Sequence, residues 1–355
     1  MKTLRTLAVA AAVTALALPA LAQDDDMIEL SAGMVTGIDQ IGLPIALERG
    51  FFEDEGLDVT IARPYATGVD ALNALQAGEV SIVQVGVPMI GAVLRGMDLV
   101  ALGNYSGSAT QLGSDATMAM VTKEGTGIDP DDLATLAGKR IAVSFGTINH
   151  LYALALLERA GLTPDDVTLV NTPPPDMTVA LLAGGVDAFA GWDPWPIIGL
   201  RDVPGALQVI RGGDAIAYLG FNVAVRSWVE ANGETIEKFL AAVSQADQWM
   251  RENPDRAAEV ATRWIPGLDL EVATEAMQYN IQQNDRRLSA TNFQALHDAV
   301  DTLHRLDFIP GTFDVNDHID ASHIVQVMEA RPELFDDLPP IPAELQVGEG
   351  FVYAP

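Results

Sequence analysis

The chain has 355 residues, of which 49% are hydrophobic, enough for two domains of ordinary size and too many for a largely disordered protein. Its formal net charge of −29 at pH 7 repels nucleic acid and anionic lipid, so neither is an expected partner. Because it contains no cysteine, its fold cannot depend on disulfides or thiolate metal sites.

The first 22 residues have the pattern of a secretory signal peptide. Lys2 and Arg5 precede an apolar run over residues 7–22, which Pro19 interrupts near its end. Ala20 and Ala22 provide the small residues that a signal peptidase needs before Gln23. The run is too short for a stable transmembrane anchor, which is the alternative interpretation. We therefore expect residues 1–22 to be a cleaved leader.

Strand and helix patterns alternate through the first third of the chain. Apolar spacing in Ala71, Leu72 and Leu75 favours a helix, whereas Ile82, Val83 and Val85 favour a strand covered on both faces. This alternation predicts an α/β domain with a mostly parallel sheet. We predict strands at 27–35, 57–63, 81–86 and 99–105, with helices at 41–52, 68–79 and 89–97.

The same alternation starts again near residue 117 and gives way to long amphipathic helices after residue 228. We predict strands at 117–125, 139–146, 167–173 and 186–192, with helices at 130–138, 151–161, 177–185, 234–253, 254–265, 270–284 and 292–306. Lobe 1 is then expected to comprise residues 23–118 and 224–335, and lobe 2 residues 119–223. Two chain crossings, near 118–122 and 218–224, predict a hinge and a cleft. Residues 336–355 are rich in Pro and Gly and predict an extended tail.

Loops after the strands carry the candidate binding residues, because ligands of such folds sit beyond the carboxyl ends of the strands. No catalytic residue, metal ligand or cofactor is predicted, since nucleotide and hydrolase motifs are missing from the sequence. Residues 314–323 have the acidic spacing of a calcium loop, but Ile319 stands where the turn requires glycine. The predicted ligand-binding residues are Asp39, Gln40, Tyr65, Thr67, Gly86, Val87, Pro88, Asn104, Gly146, Thr147, Ile148, Asn149, Trp192, Asp193 and Tyr218.

Two stretches suggest what the ligand offers. Thr147 has the residue type of a helix N-cap, and the amides that follow it could hold an oxyanion at the positive helix end. The alternative is that Thr147 only caps the helix. Trp192 offers a flat wall, and Asp193 an acceptor for an amine or amide donor. We therefore expect Asp193 to disfavour a simple inorganic anion such as nitrate.

Several ordered stretches resemble one known family. They are "GLPIALERGFFEDEGLDVTI", "ALNALQAGEVSIVQVGVP", "LAGKRIAVSFGTINHLYALALLERAGLTPDDVTLV" and "ALLAGGVDAFAGWDPW". Together they resemble the nitrate/sulfonate/taurine-type periplasmic substrate-binding proteins, which are related to thiamine-pyrimidine-precursor binding proteins, from about residue 28 to about 330. The resemblance implies the fold of a type II periplasmic binding protein. From the leader, the repeated α/β pattern and the two crossings we expect a monomer, and the chain order places the C-terminal helices on the first lobe. It also implies an ABC permease and its ATPase as partners at the inner membrane, and places the Thr147 turn in the cleft.

The resemblance leaves the solute and the partner open. A sulfonate or taurine-like zwitterion is expected first, with a pyrimidine-like heterocycle or a carboxylate as alternatives. A receptor for another transporter class or for a sensor kinase would keep the same binding chemistry. An enzyme similar to the thiamine-pyrimidine synthases is a further alternative, but their cysteine-rich signature is missing from this chain.

Overall fold

The computed structural model describes residues 27–348 and 350–355. The predicted leader, residues 1–22, lies outside the described residues. Within the described part of the chain, every helix is too short or too polar to cross a membrane. Ten strands form two five-stranded sheets, and the names lobe 1 and lobe 2 are kept for the first and second sheet with the helices that pack on them.

The sheet of lobe 1 has the strand order β2-β1-β3-β10-β4. Strand β10 is antiparallel to both of its neighbours, whereas β1 pairs with β2 and β3 in parallel. All residues of β3 and β4 are buried, as their almost continuous apolar sequences predict. The five strands are β1 (Ile28–Gly33), β2 (Leu57–Ile61), β3 (Ile82–Gly86), β4 (Leu99–Ser106) and β10 (Gly220–Val225).

The sheet of lobe 2 repeats this arrangement with the order β7-β6-β8-β5-β9. Here β5 is antiparallel to β8 and β9, while β6 pairs with β7 and β8 in parallel. The prediction of mostly parallel sheets is confirmed, with one reversed strand in each. The five strands are β5 (Met118–Lys123), β6 (Arg140–Val143), β7 (Thr168–Asn171), β8 (Ala188–Trp192) and β9 (Ala206–Arg211).

Thirteen α-helices accompany the described strands. Helices α1 to α4 belong to lobe 1, α5 to α7 belong to lobe 2, and α8 to α13 follow the return of the chain to lobe 1. They are α1 (Gly42–Glu48), α2 (Phe51–Asp54), α3 (Gly68–Gln76), α4 (Pro88–Leu94), α5 (Ile148–Arg159), α6 (Pro174–Leu182), α7 (Trp195–Asp202), α8 (Arg226–Ala231), α9 (Gly233–Glu252), α10 (Pro254–Trp264), α11 (Leu270–Asn280), α12 (Ala290–Arg305) and α13 (Ser322–Ala330).

The structure differs from the sequence prediction at several elements. The expected helix at 41–52 is divided into α1 and α2, because Gly50 adopts a left-handed conformation with φ 77°. The expected helix at 130–138 is only a 3-10 turn, Leu133–Leu136. Helices α7, α8 and α13 and strands β9 and β10 were not predicted. Because β10 already pairs with β3 at Gly220, the return to lobe 1 is complete before residue 224.

The segment with calcium-loop spacing has a structural role instead. The Ala101 amide donates to the His318 carbonyl at 2.9 Å, and the Asp320 amide donates to the Ala101 carbonyl at 2.9 Å. These bonds pair the segment with β4, which is the outermost strand of its sheet. The segment therefore covers an edge that would otherwise expose unpaired backbone groups.

A buried ion pair joins α9 to the segment that precedes α12. Arg286 donates to both carboxylate oxygens of Asp247, from Nε and Nη2 at 2.7 Å each, and both side chains are 2% exposed. Helix α1 passes so close that a Cβ on Gly42 would lie 2.5 Å from Asp247 Oδ1. The pair therefore holds helices α1 and α9 and the segment before α12 together at one point.

Replacing Asp247 with Asn should leave the Arg286 guanidinium buried without a counter-charge. We expect Asp247→Asn to lower the free energy of unfolding by about 3 kcal/mol in urea denaturation. Glu234→Gln, which removes an exposed pair with Lys238, is the control and should cost less than about 0.5 kcal/mol. Equal effects of the two substitutions would contradict the assigned role of the buried pair.

Candidate functional site

A small cavity lies between the two lobes at the carboxyl ends of the strands. Its volume is about 30 Å³, which is room for about two water molecules. Its wall includes these predicted residues: Asp39, Gln40, Gly86, Val87, Pro88, Thr147, Ile148, Trp192 and Tyr218. Its wall also includes these residues, which are not among the predicted ligand-binding residues: Val35, Gly68, Gln84, Val85, Tyr105 and Leu219.

Asp39 is the only carboxylate in the wall of this cavity, and no Lys, Arg or His lines it within the described residues. It lies in a short 3-10 turn, Ile38–Gln40, that follows β1. The side chain is buried, and the Tyr218 hydroxyl donates to its Oδ2 at 2.6 Å. Burial raises the pKa of Asp39 to about 6, although the bond from Tyr218 opposes this shift. The carboxylate is thus an acceptor suited to an ammonium or N–H group.

A second acceptor faces the cavity from β3. Gln84 Nε2 donates to Asn222 Oδ1 at 3.1 Å, while Gln84 Oε1 is buried and has no partner in the described part of the chain. Gln40 is held nearby because its Oε1 accepts from the Val35 amide at 2.6 Å and its Nε2 donates to the Gln84 carbonyl at 3.2 Å. Gln84 escaped prediction because it lies inside a buried strand and not in a loop.

Two buried phenols complete the wall on the side of Asp39. Burial and the charge of Asp39 hold the pKa of both Tyr105 and Tyr218 well above the usual value, so both hydroxyls stay protonated. Close backbone packing also shapes this wall: a Cβ on Gly86 would lie 1.7 Å from the Leu219 carbonyl oxygen. Only glycine therefore fits at the end of β3.

Lobe 2 contributes the turn that starts α5. Thr147 is the N-cap residue of this helix, as its residue type predicts. Its side chain makes no capping bond, because its hydroxyl donates to the Ser144 carbonyl at 2.8 Å and lies 2.7 Å from Asn149 Oδ1. Asn149 Oδ1 also accepts from the Ser144 amide at 3.0 Å, so the polar side chains bind the turn to itself. The Ile148 and Asn149 amides have no acceptor among the residues that the structure describes. These amides are free donors at a positive helix end.

Two indoles connect the lobes beside the cavity. The Nε1 atoms of Trp192 and Trp195 both donate to the Thr36 carbonyl at 3.2 Å. The Ile38 amide donates across the same gap to the Asp193 carbonyl at 3.1 Å. Thr36 and Ile38 belong to lobe 1 and the other residues to lobe 2, so these bonds hold the lobes together.

The expectation that Asp193 offers a free acceptor to the ligand needs correction. Its carboxylate is 0% exposed and accepts from Arg211, Nη1 to Oδ2 at 2.6 Å and Nη2 to Oδ1 at 3.1 Å. Arg211 in turn stacks on Tyr279, 4.1 Å from the ring centroid. Both carboxylate oxygens are thus occupied by a cation outside the cavity wall. The carboxylate that lines the cavity is instead that of Asp39.

Five other predicted residues lie outside the cavity wall. Thr67 forms a capping box with Asp70 at the start of α3, and Tyr65 packs beside Gly33. Asn104 is buried behind the site, where its Nδ2 donates to the Arg287 carbonyl at 2.6 Å. Gly146 and Asn149 shape the turn before α5 without lining the cavity. In residues 27–348 and 350–355, no group of three His, Asp or Glu side chains could hold a metal ion.

Comparison with known proteins places the fold and the family. A "Putative aliphatic sulfonates-binding protein" of Bacillus subtilis is 27% identical over 294 residues, 81% of this chain and 85% of that protein. A 4-amino-5-hydroxymethyl-2-methylpyrimidine phosphate synthase of Candida albicans is 24% identical and covers 68% of this chain and 75% of its own. The alkanesulfonate-binding protein SsuA from Xanthomonas axonopodis pv. citri, bound to MOPS, has a TM-score of 0.71 at 22% identity, with 81% of this chain and 96% of that chain covered.

The structural likeness confirms the two-lobed α/β fold of the periplasmic binding proteins, as the strand orders of the two sheets already indicate. The family described as NMT1/THI5 like matches residues 38–257 and therefore more than half of the sequence. This match contains the Asp39 turn, the α5 turn and the Trp192 strand end that form the cavity. The chain belongs to the NMT1/THI5-like family.

Proposed function

We propose that this chain is a periplasmic solute receptor that binds a small zwitterion between its lobes and delivers it to an ABC importer. The observation that carries this proposal is the pairing of opposite charges across the cavity. Lobe 1 contributes the carboxylate of Asp39, and lobe 2 contributes the free amide of Ile148 at the start of α5. A ligand that satisfies both must carry a donor or cation at one end and an anion at the other.

The acceptor side favours an ammonium group. Asp39 can accept from the ligand in addition to Tyr218, and Gln84 Oε1 needs a donor because it is buried without one. A simple anion against this wall would face the Asp39 charge with no cation to compensate it. Nitrate is therefore a poor ligand for this site. The sequence predicts this unfavourable negative charge at Asp193, and here it is the charge of Asp39.

The donor side favours a sulfonate or carboxylate. Backbone amides at the first turn of α5 point outward, and the helix dipole adds positive potential there. The Bacillus subtilis relative is named for aliphatic sulfonates, which agrees with an anion of this type. Taurine combines a sulfonate with an ammonium group over two carbons and is the simplest solute with both features.

Lobe closure explains how such a receptor would retain its solute. The indoles of Trp192 and Trp195 and the Asp193 carbonyl bond across the cleft only when the lobes meet. A cavity of about 30 Å³ is too small for taurine, so entry requires the lobes to separate. We propose that lobe 1, residues 23–118 and 224–335, moves against lobe 2, residues 119–223. The β10 residues before 224 already pair with lobe 1 and would move with it. Residues 1–22 would direct export, and 336–355 would stay with lobe 1.

A pyrimidine-like heterocycle is the second candidate solute. The flat indole of Trp192 lines the same cavity as Asp39, so a ring with N–H donors could stack on one and bind the other. An enzymatic role is not proposed, although one relative is a pyrimidine phosphate synthase, because the cavity wall contains no cysteine, histidine or lysine within the described residues.

Replacing Asp39 with Asn tests the acceptor side. Asp39→Asn keeps the shape of the side chain but removes the charge that pairs with the ammonium group. We expect taurine affinity in isothermal titration calorimetry to fall about 10- to 100-fold, the loss of one charge-assisted hydrogen bond. Asp58→Asn, on the exposed face of β2, is the matched control and should bind taurine as the wild type does. Unchanged affinity in Asp39→Asn would contradict the proposal.

Taurine binding should also depend on pH through Asp39. The pKa of this carboxyl is raised to about 6 in the unliganded site, and an ammonium group favours its ionised form. Affinity should therefore be constant above about pH 7 and fall as the pH drops through 6, by up to about tenfold per pH unit. Taurine keeps the same charges over this range. Calorimetry from pH 5 to 8 measures the profile, and a flat profile in the wild type would argue against a role for Asp39.

A further inference from the structure

A second and larger cavity adjoins the first at the outer edge of the cleft. We call it the outer compartment, and its apolar wall consists of Val69, Leu94, Phe145, Leu303, Phe308 and Ile309. Its volume is about 320 Å³, against about 30 Å³ for the inner cavity. Val87 and Pro88 line both cavities. The two cavities therefore adjoin at these residues.

The chemistry of the outer compartment suits an aromatic group. Phe145, Phe308 and Val69 are 43%, 37% and 37% exposed, so large apolar side chains meet solvent around one concave site. Arg95 is the only charged residue in its wall, and it makes no ion pair within 4.0 Å in the part of the chain that the structure describes. A guanidinium without a counter-charge can lie against the face of an aromatic ring.

Lobe closure assembles this wall. Phe145 belongs to lobe 2, whereas Phe308 follows α12 on lobe 1, and the ring of His150 lies between them. His150 stacks on Phe145 with centroids 5.2 Å apart and meets Phe308 edge-on at 4.4 Å. Its Nδ1 accepts from the Gly146 amide at 3.3 Å, and burial lowers the pKa of His150 to about 4, so the ring packs in its neutral form. His150 thus positions two rings that come from different lobes.

We infer that the outer compartment is a subsite for an aryl group of the solute. The solute class is then an aryl-bearing aminosulfonate or similar zwitterion, in which the charged groups occupy the inner cavity and the ring lies in the outer compartment against Phe145 and Phe308. This inference rests on the proposed function. The outer compartment has room for a ring, since a cavity of about 150 Å³ can hold benzene and this volume is about twice as large.

The test compares two ligands that differ only in the ring: taurine and 2-amino-1-phenylethanesulfonate. We expect the phenyl compound to bind the wild-type protein at least about tenfold more tightly than taurine in calorimetry, from burial of the ring. Phe308→Ala should remove most of this gain and leave taurine affinity unchanged. Val179→Ala, which truncates an exposed apolar residue on α6 far from the cleft, should preserve the gain. Phe145→Ala tests the other ring should Phe308→Ala fail to fold by circular dichroism.

The outcomes separate this inference from the proposed function. Equal affinities of the two ligands in the wild type, or a phenyl gain that survives both Phe308→Ala and Phe145→Ala, would overturn the aryl subsite and leave the zwitterion site standing. No binding of either ligand to the wild type would overturn both. If Phe308→Ala weakens taurine binding as much as it weakens binding of the phenyl compound, the aryl subsite is also overturned. Phe308 would then not act through contact with the phenyl ring.

Discussion

The central constraint on this molecule is a carboxylate buried at the junction of two lobes without a cation beside it. Asp39 is 4% exposed, and its recorded side-chain donor is the Tyr218 hydroxyl. Burying an ionised carboxylate is costly unless it is paired, which is why its pKa rises to about 6. Elsewhere in the protein the buried carboxylates of Asp193 and Asp247 each have an arginine. A cationic ligand would complete the pairing of Asp39.

The same constraint connects ligand binding to lobe closure. The Asp39 turn is adjacent to Thr36 and Ile38, which bond to Trp192, Trp195 and Asp193 of lobe 2. A ligand held by Asp39 on one side and by the α5 amides on the other therefore adds attraction between the same two surfaces. Closure also brings Phe145 and Phe308 together around His150. In the proposed closure, one movement would complete the inner cavity, the cross-lobe bonds and the outer compartment.

Alternating apolar patterns predicted the two α/β lobes because they reflect burial of strands and helix faces, as β3 and α3 show. They did not predict β9, because its residues are mostly half-buried or exposed. They also did not predict where the chain returns to lobe 1, because the pairing of β10 depends on strands that are distant in sequence.

The strand-end rule found much of the cavity wall, including Asp39 and Thr147. It could not reveal that Arg211 neutralises Asp193, since residue 211 is remote in sequence and the ion pair depends on the tertiary fold. It also missed Gln84, which serves the site from within a strand.

The central claim is that one ligand satisfies opposite charges on the two lobes at once. The most direct measurement compares the affinity of taurine with those of ethanesulfonate, which lacks the amine, and ethylamine, which lacks the sulfonate. Calorimetry at pH 7.5 should show taurine binding at least about tenfold more tightly than either half, because each half leaves one charged or polar surface of the cavity unpaired. If ethanesulfonate binds as tightly as taurine, Asp39 does not recognise an ammonium group and the account is wrong.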